Sequence, residues 1–182
     1  MLVFRRGTVE VFRTMRQALQ VRYQIPPLTL RTRAGRSVSA WDFKQQRNRV
    51  IAFLRADSQA AWDFAAEIIA HAADWKEKGA VGLIVFPTTP LKSFPASLPA
   101  EVITGTDETG KSIARYLGAD ALGRNGLERQ GVFVADRYGE LYAKWIIEKG
   151  GQMPAISEIL KALDQIEIAC EECNPTTWPL DD

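Results

Sequence analysis

A chain of 182 residues fits one domain with short extensions, and its apolar fraction of 46% suffices for a real core. With 23 basic against 22 acidic side chains, the charge balance gives no reason to expect nucleic acid or an anionic membrane as partner. The longest apolar run, the seven residues Ala80 to Phe86, is far too short to span a bilayer, and Arg5 and Arg6 lead into no apolar secretion segment, so the expected location is the cytoplasm.

In chain order, Val11, Phe12, Met15, Ala18 and Leu19 fall at helical spacing, which predicts a short amphipathic helix over 8–22 and an N-terminal helical extension, 1–22. Ile25-Pro26-Pro27 stops any helix and opens the main domain, 23–168. Leu28 to Arg31 reads as extended, Ala34-Gly35-Arg36 as a turn, and Val38 as part of an edge strand before Trp41-Asp42-Phe43. Arg49 to Leu54 (RVIAFL) is apolar without clean alternation, the pattern of a buried strand. Asp57 and Ser58 then offer a helix N-cap, and Ala61, Phe64, Ala65, Ile68, Ala72 and Trp75 continue as one helical face to about Lys78. Gly82 to Phe86 (GLIVF) predicts a second buried strand, completing a right-handed parallel βαβ unit.

Residues 87–100 hold four prolines and read as loop. Glu101 to Thr104 reads as a short strand and Lys111 to Leu117 as a short helix. Val132 to Ala135 and Leu141 to Ile146 flank Asp136-Arg137-Tyr138-Gly139-Glu140, a hairpin signal with glycine at the turn. Ile156, Ile159, Leu160, Leu163 and Ile166 mark a closing helix that begins near Pro154. A βαβ unit followed by a hairpin and a closing helix predicts a thioredoxin-like α/β fold, a central mixed sheet with helices on both faces.

Particular residues then resemble a known family. Tyr23 to Leu30 with Gly35 to Ser39 and Asp42-Phe43, then RVIAFLR, is similar to the entry segment of peroxiredoxins of the alkyl hydroperoxide reductase and thiol-specific antioxidant family. Asp107 followed by Ile113 to Gly118 resembles that family's aspartate and helix stretch. Arg129 to Asp136 with Gly139 resembles its R-x-x-x-F-x-x-D-x-x-G hairpin. The tail Cys170-Glu-Glu-Cys173 with Trp178-Pro179 is similar to one found in some bacterial redoxin-domain proteins. The match covers residues 23–179, and the order of its motifs carries it. It implies a redoxin with an antioxidant or thiol–disulfide role, a thiol reductant or another protein as partner, and no cofactor; a homodimer is compatible with it.

The sequence departs from the family at its reactive point. Members carry a cysteine where the strand meets the next helix, because a helix N-terminus stabilises a thiolate. Here that junction reads Arg55-Ala56-Asp57-Ser58-Gln59, with no thiol. A serine hydroxyl neither ionises there nor attacks peroxide oxygen, so Ser58 reads as a cap or as the remnant of a pocket formed with Asp57, Arg55 and Arg129. For Arg129 the resemblance implies a place beside that pocket; a surface arginine at a strand entrance is the plain alternative.

Two cysteines and one histidine exclude a self-contained zinc site of four cysteines, or of two cysteines and two histidines, within one chain. Cys170 and Cys173, in the tail 169–182, have the spacing of a redox pair. They follow the predicted closing helix, near its negative end, and Glu171 and Glu172 lie between them, so both effects raise their pKa. A reversible disulfide, unpaired thiols, a four-cysteine metal site built across a dimer and a true catalytic dithiol all remain open for the pair. Gly105-Thr-Asp-Glu-Thr-Gly-Lys-Ser112 matches the phosphate-loop pattern literally, but its two carboxylates and short preceding strand argue against nucleotide hydrolysis. His71 reads as a partly buried structural residue, and the five tryptophans are scattered rather than arrayed for stacking. Three functions follow for testing: a thiol oxidoreductase acting through Cys170 and Cys173, a catalytically degenerate binding protein, and a nucleotide hydrolase.

Overall fold

Burial organises the molecule around two strands. In the computed structural model, which describes residues 18–88, 94–95, 97–123 and 126–168, every residue of Asn48–Phe53 (β3) and of Ala80–Phe86 (β4) is buried. Apolar runs with no polar face must be covered on both sides, so these strands lie in the middle of the sheet. Around them stand Thr29–Arg31 (β1), Ser37–Ser39 (β2), Val102–Thr106 (β5), Gln130–Ala135 (β8) and Leu141–Ile147 (β9). A separate two-stranded ribbon pairs Leu122–Gly123 (β6) with Gly126–Leu127 (β7). The seven-stranded sheet has the order β2-β1-β5-β4-β3-β8-β9. Strands β3, β4 and β5 run parallel, whereas β8 and β9 form the antiparallel hairpin and β1 and β2 close the other edge.

Side chains alternate across the sheet and divide the core in two. On one face Val50, Ala52, Ile84, Val132 and Val134 pack with Phe64 and Ile68 of Gln59–Ala70 (α1) and with Ile159 and Leu163 of Ile156–Ile168 (α4). On the other, Ile51, Phe53, Leu83 and Phe133 pack with Ile113, Tyr116 and Leu117 of Lys111–Leu117 (α3) and with Ile25 and Leu28 of the entry segment. Phe53, Tyr116 and Phe133 stand 5.0 to 5.9 Å apart in tilted and edge-on pairs. Each such pair adds about 0.5–1.5 kcal/mol beyond its buried area.

The β6–β7 ribbon was not expected, and the predicted elements match apart from three differences. The helix expected to run from Asp57-Ser58 to Lys78 is broken at His71 into α1 and Ala72–Glu77 (α2). The fully buried Trp75 accounts for the tolerance of that break, since its indole donates at 2.7 Å to the Ile68 carbonyl in the last turn of α1. Strand β5 runs two residues beyond Thr104, because Gly105 and Thr106 pair with Val85 and Phe86 and Thr106 pairs with Arg31. The helix expected over 8–22 lies outside the described residues as far as 17, and Ala18 to Arg22 is not helical. That stretch is instead bonded to the domain, with Leu19 N–H on the Tyr116 carbonyl and Arg22 N–H on that of Leu141. No helix among the described residues is long and apolar enough to cross a membrane.

Candidate functional site

Strand β3 delivers the chain to the start of α1. Leu54 N–H still bonds the Val85 carbonyl, and Arg55 N–H then donates at 2.8 Å to the side-chain oxygen of Gln130. The Arg55 guanidinium turns onto Asp57 in a two-pronged pair at 3.0 and 2.8 Å. These bonds pull the Asp57 carboxyl below its ordinary pKa and raise that of Arg55. Ser58 is extended, and its hydroxyl accepts the Ala61 N–H at 3.3 Å, an N-cap of the usual kind. The junction therefore satisfies itself. The capping oxygen is occupied, the nearest cation is bound, and a carboxylate beside the helix start offsets the positive potential that would hold a thiolate.

The structure brings Arg55, Asp57 and Ser58 together, and the bonds of Arg129 go to other residues. Arg129 donates to Asp120 at 2.6 Å and to the Leu117 carbonyl at 3.5 Å, with its Nε 3.6 Å from Glu148. It thus ties the end of α3 to the end of β9. Gln130, the next residue, shares the parity of Val132 and Val134 and so faces α1.

Sequence reasoning passed over Gln130, although counting back by twos from Val132 would have placed it. It also passed over an aromatic cluster beside the helix start, where Trp62 stacks on Phe86 at 5.2 Å and meets Phe94 at 5.0 Å. The Trp62 indole donates to the Ala56 carbonyl at 2.9 Å, which fixes the loop between β3 and α1.

The segment from Gly105 to Ser112 forms no phosphate cradle. Gly105 lies within β5, and a Cβ there would sit 2.9 Å from the Arg31 carbonyl, so the glycine serves the contact with β1. Asp107, 3% exposed, places its own carboxylate at the start of α3. One oxygen accepts the Ile113 N–H and the other the Thr109 hydroxyl, each at 3.0 Å. A side-chain carboxylate thus fills the position that a phosphate loop keeps for its ligand.

At the opposite end of β3, Arg49 is 1% exposed and donates at 3.0 Å to the carbonyls of Asp136 and Arg137. Burial lowers its pKa. Asp136 Oδ1 accepts from the N–H groups of Tyr138, Gly139 and Glu140 at 2.9, 2.6 and 2.8 Å. Gly139 has φ +100°, and a Cβ there would collide with the Gln24 amide. The aspartate and glycine of the hairpin motif are therefore parts of a turn, at the far pole from the start of α1. His71 is partly exposed and pairs with Asp74. Among the described residues no group of His, Cys, Asp and Glu could hold a metal ion, and Cys170 and Cys173 lie outside those residues.

No protein-family model matches the sequence, and no curated protein resembles it in sequence. Solved structures do resemble it in shape. A mitochondrial 2-Cys peroxiredoxin from Plasmodium falciparum superposes with a TM-score of 0.62 at 16% identity, covering 88% of this chain and 100% of that one. Mycobacterium tuberculosis AhpC gives 0.62 at 15% identity, over 82% of this chain and 99% of that one. A Chlorobium tepidum protein described as a thiol:disulfide interchange protein DsbE gives 0.56 at 19% identity, over 84% and 100%. At such identities the likeness is one of fold: the chain has the thioredoxin-like fold of peroxiredoxins, with Ser58 capping the helix start.

Proposed function

We propose that this peroxiredoxin-fold protein carries no peroxide-reducing centre at the start of α1 and serves thiol–disulfide exchange through Cys170 and Cys173. The observation that carries this reading is the closed helix start: the Ser58 oxygen is taken by Ala61 N–H and Arg55 by Asp57, with no sulfur at the junction. Every thiol of the chain is in its tail. In the exchange, a thiolate of one cysteine attacks a partner disulfide and releases a partner thiol. The second cysteine then attacks the mixed disulfide, closing a Cys170–Cys173 bond and releasing the second partner thiol. Two electrons pass from the pair to the partner, and a dithiol reductant reverses the step. With Glu171 and Glu172 between the thiols the reaction is slow at neutral pH, because little thiolate is present.

Thiol titration of the full chain tests this directly. Two reactive thiols after reduction and none after a disulfide oxidant, in a monomer that has lost two hydrogens, is the expected result. Thiols that stay free under the oxidant, or peroxide turnover that survives Cys170→Ser and Cys173→Ser, would overturn it. A purely binding role is the second reading, favoured by the same closed junction, and free thiols with no turnover would select it.

A further inference from the structure

We propose that the acidic tail, 169–182, docks on a basic face of its own chain formed by Lys44, Arg47 and Arg137, at the end of the sheet where α4 stops, and that these cations speed the chemistry of Cys170 and Cys173. The second half rests on the thiol–disulfide reading above; the docking does not. Glu171, Glu172, Asp181 and Asp182 make the tail negative, and it contains no basic residue.

Helix α4 delivers the tail to that face. Its last turns are held at the start of β3, where Asn48 Nδ2 donates to Glu167 at 3.4 Å and Lys78 pairs with Asp164 at 2.5 Å. Arg47 immediately precedes Asn48. The Gln45 N–H donates at 2.6 Å to the Arg137 carbonyl, so the loop 44–47 and the turn of the β8–β9 hairpin form one surface. Glu171 lies four residues beyond Glu167, a span of at most about 14 Å, which puts the first tail carboxylates within reach of the loop with no change in the fold.

Charge on the two sides is complementary. Helix α4 has no basic residue in its last turn, so the negative end of its dipole adds to Glu167 and to the acids that follow. On the facing loop, Lys44 and Arg47 make no ion pair among the described residues, and Lys44 lies 4.5 Å over the Trp41 ring instead. Asp42, the acid nearest to them in sequence, has one oxygen taken by the Ser39 N–H. Arg137 is exposed, 5.2 Å over the Tyr138 ring.

A further observation is independent of charge. Trp41 Nε1 on the same loop is buried and has no acceptor among the described residues, whereas buried donors nearly always have one. A chain segment laid on this loop brings carbonyl and carboxylate oxygens to it. Tethering decides the occupant, because a segment joined by so short a link acts at an effective concentration on the order of millimolar, ahead of any free acidic partner. Cations on Glu171 and Glu172 then sit one residue from each thiol, offset part of the retardation those carboxylates impose, and raise the thiolate fraction.

Two measurements on the reduced full chain test this. Amide and indole chemical shifts read the docking: the Trp41 indole N–H and the Tyr138 amide differ between the wild type and a variant carrying Glu171→Gln, Glu172→Gln, Asp181→Asn and Asp182→Asn, and about 0.5 M salt removes the difference. Lys44→Glu with Arg47→Glu abolishes the tail-dependent shifts, and adding Glu171→Lys with Glu172→Lys restores them, which a misfolded loop would not allow. Iodoacetamide rates read the chemistry. Lys44→Gln with Arg47→Gln slows alkylation of Cys170 and Cys173 about threefold to tenfold at low salt, the effect of two exposed cations across a few ångströms of water, and the rates converge at high salt. Shifts that ignore the tail's charges, alkylation that ignores the loop's, or tail-dependent shifts that vanish on dilution as a dimer dissociates overturn the proposal. Docking shifts in a chain whose cysteines never form a disulfide refute the thiol reading and leave the docking standing; a disulfide without those shifts does the reverse.

Discussion

Planting a thiol at the start of α1 tests the whole account of that junction. Ser58 already sits at the N-cap with its side-chain oxygen 3.3 Å from the Ala61 N–H, so Ser58→Cys puts sulfur against the same dipole. A favourable helix terminus is worth up to about 2 kcal/mol to an anion, which at about 1.36 kcal/mol per unit moves a thiol from ~8.5 to ~7. The Arg55–Asp57 pair works against this. Its carboxylate lies one residue away and consumes the guanidinium at 2.8 and 3.0 Å. Repulsion on the order of 1 kcal/mol at such an exposed site cancels half or more of the shift. Ser58→Cys alone therefore titrates only slightly below the free value, whereas Asp57→Asn with Ser58→Cys titrates near 7. At pH 7 the thiolate fraction rises from about 3% at the free value to about 50%, and alkylation quickens roughly tenfold or more. Iodoacetamide rates against pH, resolved by mass spectrometry in a Cys170→Ser, Cys173→Ser background, measure this. Arg129→Ala leaves the rate unchanged, since Arg129 is spent on Asp120 and the Leu117 carbonyl. A double variant that titrates at or above the free value, or whose introduced thiol is inert, refutes the placement of the family's thiol position at Ser58.

Asp107→Ala removes both bonds that close the α3 turn and should cost about 1–2 kcal/mol in urea unfolding, with Asp107→Asn recovering part of it. Arg49→Met strips the donor from the Asp136 and Arg137 carbonyls, the first bond buried and the second partly so, for a loss of about 2–4 kcal/mol by the same assay. The Arg55 bonds hold the Asp57 carboxyl below its ordinary value, so their stabilisation is complete above that value and disappears as pH falls through the depressed one. With Asp57 65% exposed the effect is under about 1 kcal/mol, read as a gap between the wild type and Asp57→Asn at pH 6 that closes in acid.

The fold was legible because its central elements are extreme. Strands β3 and β4 are buried at every position, and no helix or surface strand has that composition. The boundaries that sequence periodicity missed depend on partners distant in the chain. His71 ends α1 where nothing local requires it, and the indole of Trp75 compensates from the next helix. Strand β5 outruns its apolar stretch because β1 and β4 supply partners for Gly105 and Thr106, which also removes two residues from the apparent phosphate loop.

The junction was legible as a cap and not as a network. Residue type offered Asp57 or Ser58 as the N-cap, and the structure selects Ser58, whose oxygen takes the Ala61 N–H while Asp57 pairs with Arg55. The Gln130 contact required knowing that β8 lies beside β3 in antiparallel register, with Gly131 opposite Phe53. Once that pairing is given, strand parity sends Gln130 toward α1 and Arg129 toward α3. The hairpin motif likewise divides. Asp136 and Gly139 keep a structural duty at the far pole that does not depend on chemistry at the helix start, because Asp136 Oδ1 collects three backbone N–H groups and Gly139 leaves room for Gln24. A sequence can therefore carry the motif that shapes this fold while its helix start, which no backbone bond ties to a sulfur, holds an ion pair and a capping hydroxyl.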